Sequence, residues 1–131
     1  MSHAALTRWM MMKKACSDDS VDLKFRAFSD RTRLRILHLL RDAEICVGDL
    51  EAILEIPQPT VSRHLGYLRR AKLVQVRKSG QWSYYSLMPA EGEFHQNLLN
   101  FLEGCFSEVP EIKADRRRAD DVRRTKSCCP E

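Results

Sequence analysis

No apolar run in the sequence approaches the roughly 18 residues that a membrane-spanning helix needs, so no membrane partner is expected. The opening MSHAALTRWMMMKKAC lacks the basic, apolar, small-residue order of a secretory signal and reads instead as a short amphipathic helix, so a cytoplasmic location is expected. There is no internal repeat and no low-complexity segment, which excludes solenoid and fibrous architectures. Disorder is excluded too, because 44% of the residues are hydrophobic and 31% charged. A length of 131 residues accommodates one domain with a core, and not two. Cysteine is sparse, odd in number and scattered (Cys16, Cys46, Cys105, Cys128, Cys129). Without an export signal, that pattern argues against a disulfide framework and for free thiols or metal ligands in a reducing compartment.

Acid is missing where base is dense. Residues 63–78 (RHLGYLRRAKLVQVRK) carry six bases and no acid, whereas residues 42–55 (DAEICVGDLEAILE) carry five acids and no base. The net charge of +4 equals the excess of seven bases over three acids in residues 113–126. The folded part is therefore nearly neutral but polarised, and its basic stripe suits a phosphate backbone.

Hydrophobic period locates the elements. Phe25 and Phe28, three apart, favour a helix ending near Asp30, which can cap the next one. In RTRLRILHLLRD, the residues Leu34, Ile36, Leu37, Leu39 and Leu40 form a broad apolar face, with His38 packed among them. A short helix over VGDLEAILEI stops before Pro57 and Pro59. The next helix, TVSRHLGYLRRAKL, takes Pro59 in its first turn and turns Val61, Leu65, Leu68 and Ala71 inward. Two short helices joined by a tight turn form a helix-turn-helix pattern. VQVRKSGQWSYYSL then alternates on both sides of Ser79 and Gly80, as a hairpin does. A basic-tipped hairpin directly after a helix-turn-helix has the layout of a wing. The expected fold is mainly α with a small β-hairpin, a winged helix-turn-helix. In GEFHQNLLNFLEGCF, the residues Phe94, Leu98, Leu99, Phe101, Leu102 and Phe106 give a face wider than one small domain covers, so part of it is expected to meet a second copy. The expected organisation is an N-terminal helical arm over 1–19, the winged domain over 20–108, and a flexible basic tail with a terminal Cys pair over 109–131.

Taken together, FRAFSDRTRLRILHLL, CVGDL, PQPTVSRHLGYLRRAKLV and GQWSYYSL resemble the ArsR/SmtB family of metal-sensing winged-helix repressors, in order and without a gap over about residues 21–106. The resemblance implies a homodimer joined through its first and last helices, which holds double-stranded operator DNA until an inducer weakens the grip. Carried onto this chain, it implies major-groove positions at Gln58, Thr60, Ser62, Arg63 and His64, and wing positions at Arg77, Lys78 and Gln81. These side chains offer hydroxyls, amides and a guanidinium suited to base edges and phosphates.

Arsenic-responsive members of that family typically carry Cys-Val-Cys-Asp-Leu, two thiolates one residue apart. Here the segment is CVGDL, so Cys46 keeps one ligand position and Gly48 removes the other. Nor can the last predicted helix complete a tetrahedral zinc site, since it offers only Glu91, Glu93 and His95. The missing thiols are sought in Cys128 and Cys129. Neighbouring cysteines sit about 3.8 Å apart at Cα, short of a relaxed disulfide, yet soft thiolates of this kind select soft ions. The 22 residues between Cys105 and Cys128 span roughly 25 to 30 Å as a coil, enough to reach Cys46. The expected metal ligands are Cys46, Cys128 and Cys129, with Cys105 and the tail pair as the alternative triad and Cys16 the least supported thiol. The expected function is a transcriptional repressor with trivalent arsenic or antimony as inducer, and the competing one is a thiol redox or persulfide sensor on the same fold. A thiol enzyme is disfavoured, because Cys46 has the acids Glu44 and Asp49 nearby and no histidine close in sequence.

Overall fold

The computed structural model describes residues 18–104, 106, 108–125 and 130. Cys16, Cys105, Cys128 and Cys129 lie outside them, as does most of the expected N-terminal arm. The elements run α1 (Asp18–Phe28), α2 (Arg31–Leu40), β1 (Ile45–Cys46), α3 (Val47–Leu54), α4 (Gln58–Arg70), β2 (Val74–Ser79), β3 (Trp82–Leu87), α5 (Glu93–Phe101) and α6 (Pro110–Arg124).

Local chemistry explains the boundaries. The Asp30 side chain accepts from the Arg33 amide at 3.0 Å and caps α2. Pro59 sits in the first turn of α4, where an amide hydrogen would have no partner. The hairpin pairs Ser79 with Trp82, leaving Gly80 and Gln81 as a two-residue loop. Gly80 has φ +61°, a left-handed conformation that glycine adopts without a Cβ clash.

The wing continues into a three-stranded antiparallel sheet of order β1-β3-β2. Cys46 lies opposite Tyr84, and Tyr84 opposite Arg77. Directly paired residues share a face, so these three side chains form one row across the sheet. Beneath it α2, α3 and α4 bury Ile36, Leu37, Leu50, Leu54, Leu65 and Leu68 in one core with Leu73 and Leu102. Among the described residues, no helix is long and apolar enough to cross a membrane.

The expectation of a flexible tail from 109 does not hold over Pro110–Arg124, which is helical and packs on α2 and α3. Its inward face is Ile112, Asp115 and Ala119, with Val122 half-buried behind them, a helical spacing in which a carboxylate interrupts the apolar period. The helix spans about 22 Å, so the reach of this segment is that of a rod rather than a coil.

Candidate nucleic-acid interface and thiol site

Helix α4 presents Gln58, Ser62, Arg63, Arg69 and Arg70 outward, with Thr60 half-buried beside them. His64 does not join them. It lies three residues after Val61 and four before Leu68, on the inward face, and is buried. Its Nδ1 is 3.5 Å from Arg33 Nη1 and 4.0 Å from Asp30 Oδ1. Burial and the cations Arg33 and Arg63 hold its pKa below 6.5 against the opposing pull of Asp30. The expectation that His64 is a surface contact is therefore corrected. His38 is buried, as expected. Tyr67 is half-buried under Arg33, whose guanidinium carbon lies 4.1 Å from the ring centroid.

In the wing Arg77, Lys78 and Gln81 are all exposed. Arg77 is also engaged: Nη2 donates to Glu44 at 2.7 Å, and its guanidinium carbon lies 4.6 Å from the Tyr84 ring centroid. Glu44 precedes β1 and borders the same cavity as Cys46. A predicted DNA-contacting arginine is thus tied to the surroundings of a predicted ligand cysteine.

Cys46 is the N-cap of α3, where its Sγ accepts from the Asp49 amide at 3.4 Å. Its side chain is 2% exposed. The sulfur is disulfide-bonded. Beside it lies a cavity of about 370 Å³, bordered by Ile45, Ile53 and Tyr84 and, from α6, by Ala119, Val122 and Arg123. Helix α6 thus carries the chain toward Cys46 before the segment holding Cys128 and Cys129. Tyr84, which no site pattern singled out, is 4% exposed, and its hydroxyl has no hydrogen-bond partner among the described residues.

A buried ion network holds α6 in place. Asp115 is 1% exposed and accepts from Arg35 Nε and Nη2 and from Arg118 Nη2, each at 2.8 Å. Arg35 Nη2 also donates to the Leu54 carbonyl at 2.9 Å, and Arg118 Nε to the Ile53 carbonyl. The two guanidiniums thereby satisfy carbonyls at the C-terminal end of α3, where cations are favoured. The hydrogen bond that Arg35 donates to Asp115 is the main reason the Arg35 pKa rises above its usual value. Sequence reading missed this network. Its signal was Asp115 at helical spacing between Ile112 and Ala119.

Residues 30–76 match the family described as "Bacterial regulatory protein, arsR family". The solved structure of reduced HlyU from Vibrio cholerae is 32% identical with a TM-score of 0.61, covering 75% of this chain and 98% of that one. The chain belongs to the arsR family. A second neighbour, described as a possible ArsR-family regulator, is the homodimeric winged helix-turn-helix DNA-binding domain Mb0332 from Mycobacterium bovis, 28% identical with a TM-score of 0.59, covering 73% of this chain and 86% of that fragment. Among curated relatives, the arsenic resistance transcriptional regulator ArsR1 of Pseudomonas putida is 46% identical over 66 residues, 50% of this chain and 52% of that protein. The chain thus spans about half the length of this arsenic-named relative. Other arsR-type relatives carry different names, among them the transcriptional activator HlyU, so family membership leaves the signal open.

Proposed function

We propose that this chain is a homodimeric DNA-binding repressor, acting in the cytoplasm, that a trivalent arsenical or antimonite releases from operator DNA by binding to cysteine thiolates. The observation that carries the reading is the Cys46 disulfide at the root of the wing. A sulfur that forms a disulfide when oxidised is, once reduced, a thiolate of the kind that takes a soft ion. Cys128 and Cys129 supply the remaining thiolates in this proposal, since α6 leads the chain to the Cys46 cavity before their segment.

Gln58, Thr60, Ser62 and Arg63 enter the major groove, and Arg77, Lys78 and Gln81 contact the flank. The support is their shared exposure within the acid-free stretch and the wing that follows it. His64 is not among them. The second copy packs on the face bearing Phe25 and Phe101, which are 54% and 55% exposed, and a homodimeric relative has the same fold.

Coupling follows from the row Cys46, Tyr84, Arg77. An ion at Cys46 displaces β1, and with it Glu44 and the Arg77 that Glu44 holds, so the ion is bound better by the arrangement that grips DNA less well.

One observation favours a second reading. The disulfide itself is what a thiol redox or persulfide switch would form, with two thiols giving up two protons and two electrons to an oxidant such as peroxide. Titrating the reduced repressor on its promoter DNA with arsenite, antimonite, zinc and peroxide separates the two. Release by arsenite or antimonite in the presence of reductant supports the first reading. Release by peroxide alone, reversed by reductant, replaces it with the second.

A further inference from the structure

In the function proposed above α4 reads DNA and α1 carries part of the face that meets a second copy. One side chain joins these two helices. Arg33 of α2 is a cation, yet its side chain is only 13% exposed. One edge of its guanidinium is taken by α1, where Nε donates to the Ala27 carbonyl at 3.2 Å and Nη2 to the Arg26 carbonyl at 2.8 Å. Carbonyls in the last turn of a helix lack intrahelical partners and favour a cation. The rest of the group faces α4. Nη1 lies 3.5 Å from His64 Nδ1, and the guanidinium carbon lies 4.1 Å from the Tyr67 ring centroid. His64 and Tyr67 are three residues apart, so they form one ridge along the flank of α4. Asp30 Oδ2, 3.9 Å from Nη1, supplies the counter-charge.

Capping α1 accounts for one edge of this guanidinium and for nothing else it does. A lysine ammonium would cap the same carbonyls, but it has no second edge for His64 and no plane to lay on Tyr67. The planar group therefore fixes the roll of α4 against α1. Ser62 and Arg63 directly precede His64, so a roll that moves the ridge moves them as well. On the other side, Arg26 directly follows Phe25, which is 54% exposed on the proposed dimer face. We infer that Arg33 is the positioning residue that sets the separation of the two α4 helices in the dimer, and with it the half-site spacing of the operator the protein prefers. The inference rests on the dimeric DNA-binding reading proposed above. Half-sites on one face of DNA lie about 34 to 36 Å apart, and one base pair more or less moves a half-site by about 3.4 Å and turns it by about 35°. A firmly held α4 rejects that displacement, and a loosely held one follows it. Arg33 itself touches no base and acts through α4.

The test uses the full chain on labelled promoter DNA carrying its footprinted two-fold site, and on two versions with one base pair added or removed at the centre of that site. The unaltered dimer should bind either altered DNA about tenfold more weakly than the native one. Arg33→Lys, which keeps the charge, should remain a dimer in sedimentation, lose about tenfold in affinity for the native DNA, and bind all three DNAs within about threefold of one another. Tyr67→Leu, which keeps apolar volume but removes the ring face, should behave in the same way, whereas Tyr67→Phe, which keeps the ring, should retain the spacing preference. A role in stability alone would weaken all three DNAs by one factor and leave their ratios as in the unaltered protein; those ratios in either Arg33→Lys or Tyr67→Leu, with or without a general loss of affinity, overturn the inference. If Arg33→Lys does not melt cooperatively, the ratios measured on Tyr67→Leu decide. An unaltered dimer that binds the three DNAs equally defeats the inference alone. An unaltered protein that is monomeric, or that leaves no footprint, defeats the dimeric DNA-binding reading and the inference with it.

Discussion

Asp115→Ala should undock the C-terminal helix. The carboxylate accepts three hydrogen bonds from Arg35 and Arg118, and its removal takes from Arg35 of α2 and Arg118 of α6 the buried carboxylate they share. Breaking a buried ion pair typically costs about 3 to 5 kcal/mol. The low end applies here. Arg35 keeps the Leu54 carbonyl, while Arg118 keeps the Ile53 carbonyl and Glu55 at 3.7 Å. About 3 kcal/mol is a large share of the roughly 5 to 15 kcal/mol that holds a domain together, and corresponds to a melting temperature lower by about 10 °C. Amide protection over residues 110–124 should fall first, because Asp115 sits at the centre of that helix's buried face. Asp121→Ala, which removes an exposed partner of Arg124, serves as the control and should change stability by less than about 0.5 kcal/mol. Asp115→Leu combined with Arg35→Met should recover most of the loss, since apolar residues can replace a buried ion pair. Urea unfolding and hydrogen exchange read all four proteins. Stability of Asp115→Ala within about 0.5 kcal/mol of the parent, with protection unchanged, would refute the idea that this network holds α6.

Three further outcomes are expected. His38, His64 and His95 are each held below 6.5, by burial first and then by nearby cations. The unfolded chain therefore binds more protons than the fold: stability is full above pH 6.5 and declines as pH falls through the folded values, by at most about 1.4 kcal/mol per pH unit for each histidine. A urea midpoint that is flat or higher on going from neutral to mildly acidic buffer contradicts this. Arg63→Ala should cost about 1 to 3 kcal/mol of operator affinity and relax discrimination at one base pair, whereas Lys78→Ala should weaken all sequences alike and lower the salt slope by about one; normal binding by both variants would mean that the assigned surface is wrong. Phe101→Asp should give a monomer in sedimentation where the parent is a dimer, and a parent that is already monomeric removes the assigned dimer face.

Much of the fold is legible in the sequence because each signal had one physical reading. Asp30 precedes an apolar period and caps it, Pro57 and Pro59 mark a turn, and alternation around Gly80 sets the hairpin register. What escaped had its signal interrupted or was too short to show a period. Helix α6 places a carboxylate in the middle of its buried face, so its apolar spacing reads as a charged tail until Arg35 is found opposite. Strand β1 is two residues long, too short to alternate, and exists because β3 pairs with it. His64 misled by residue type: its spacing from Val61 and Leu68 pointed inward, and the period outweighed the preference for a polar contact. Cys46 was legible as a candidate ligand, but its cavity was not, since Tyr84 and Val122 come from distant segments.

The central claim is that a thiol site built on Cys46 governs the hold on DNA. Release of promoter DNA by arsenite, followed by fluorescence anisotropy on the reduced full chain and on Cys46→Ser, tests it most directly. Equal DNA affinity without arsenite, together with loss of most of the arsenite response in Cys46→Ser, is the predicted result. An undiminished arsenite response in Cys46→Ser would contradict it.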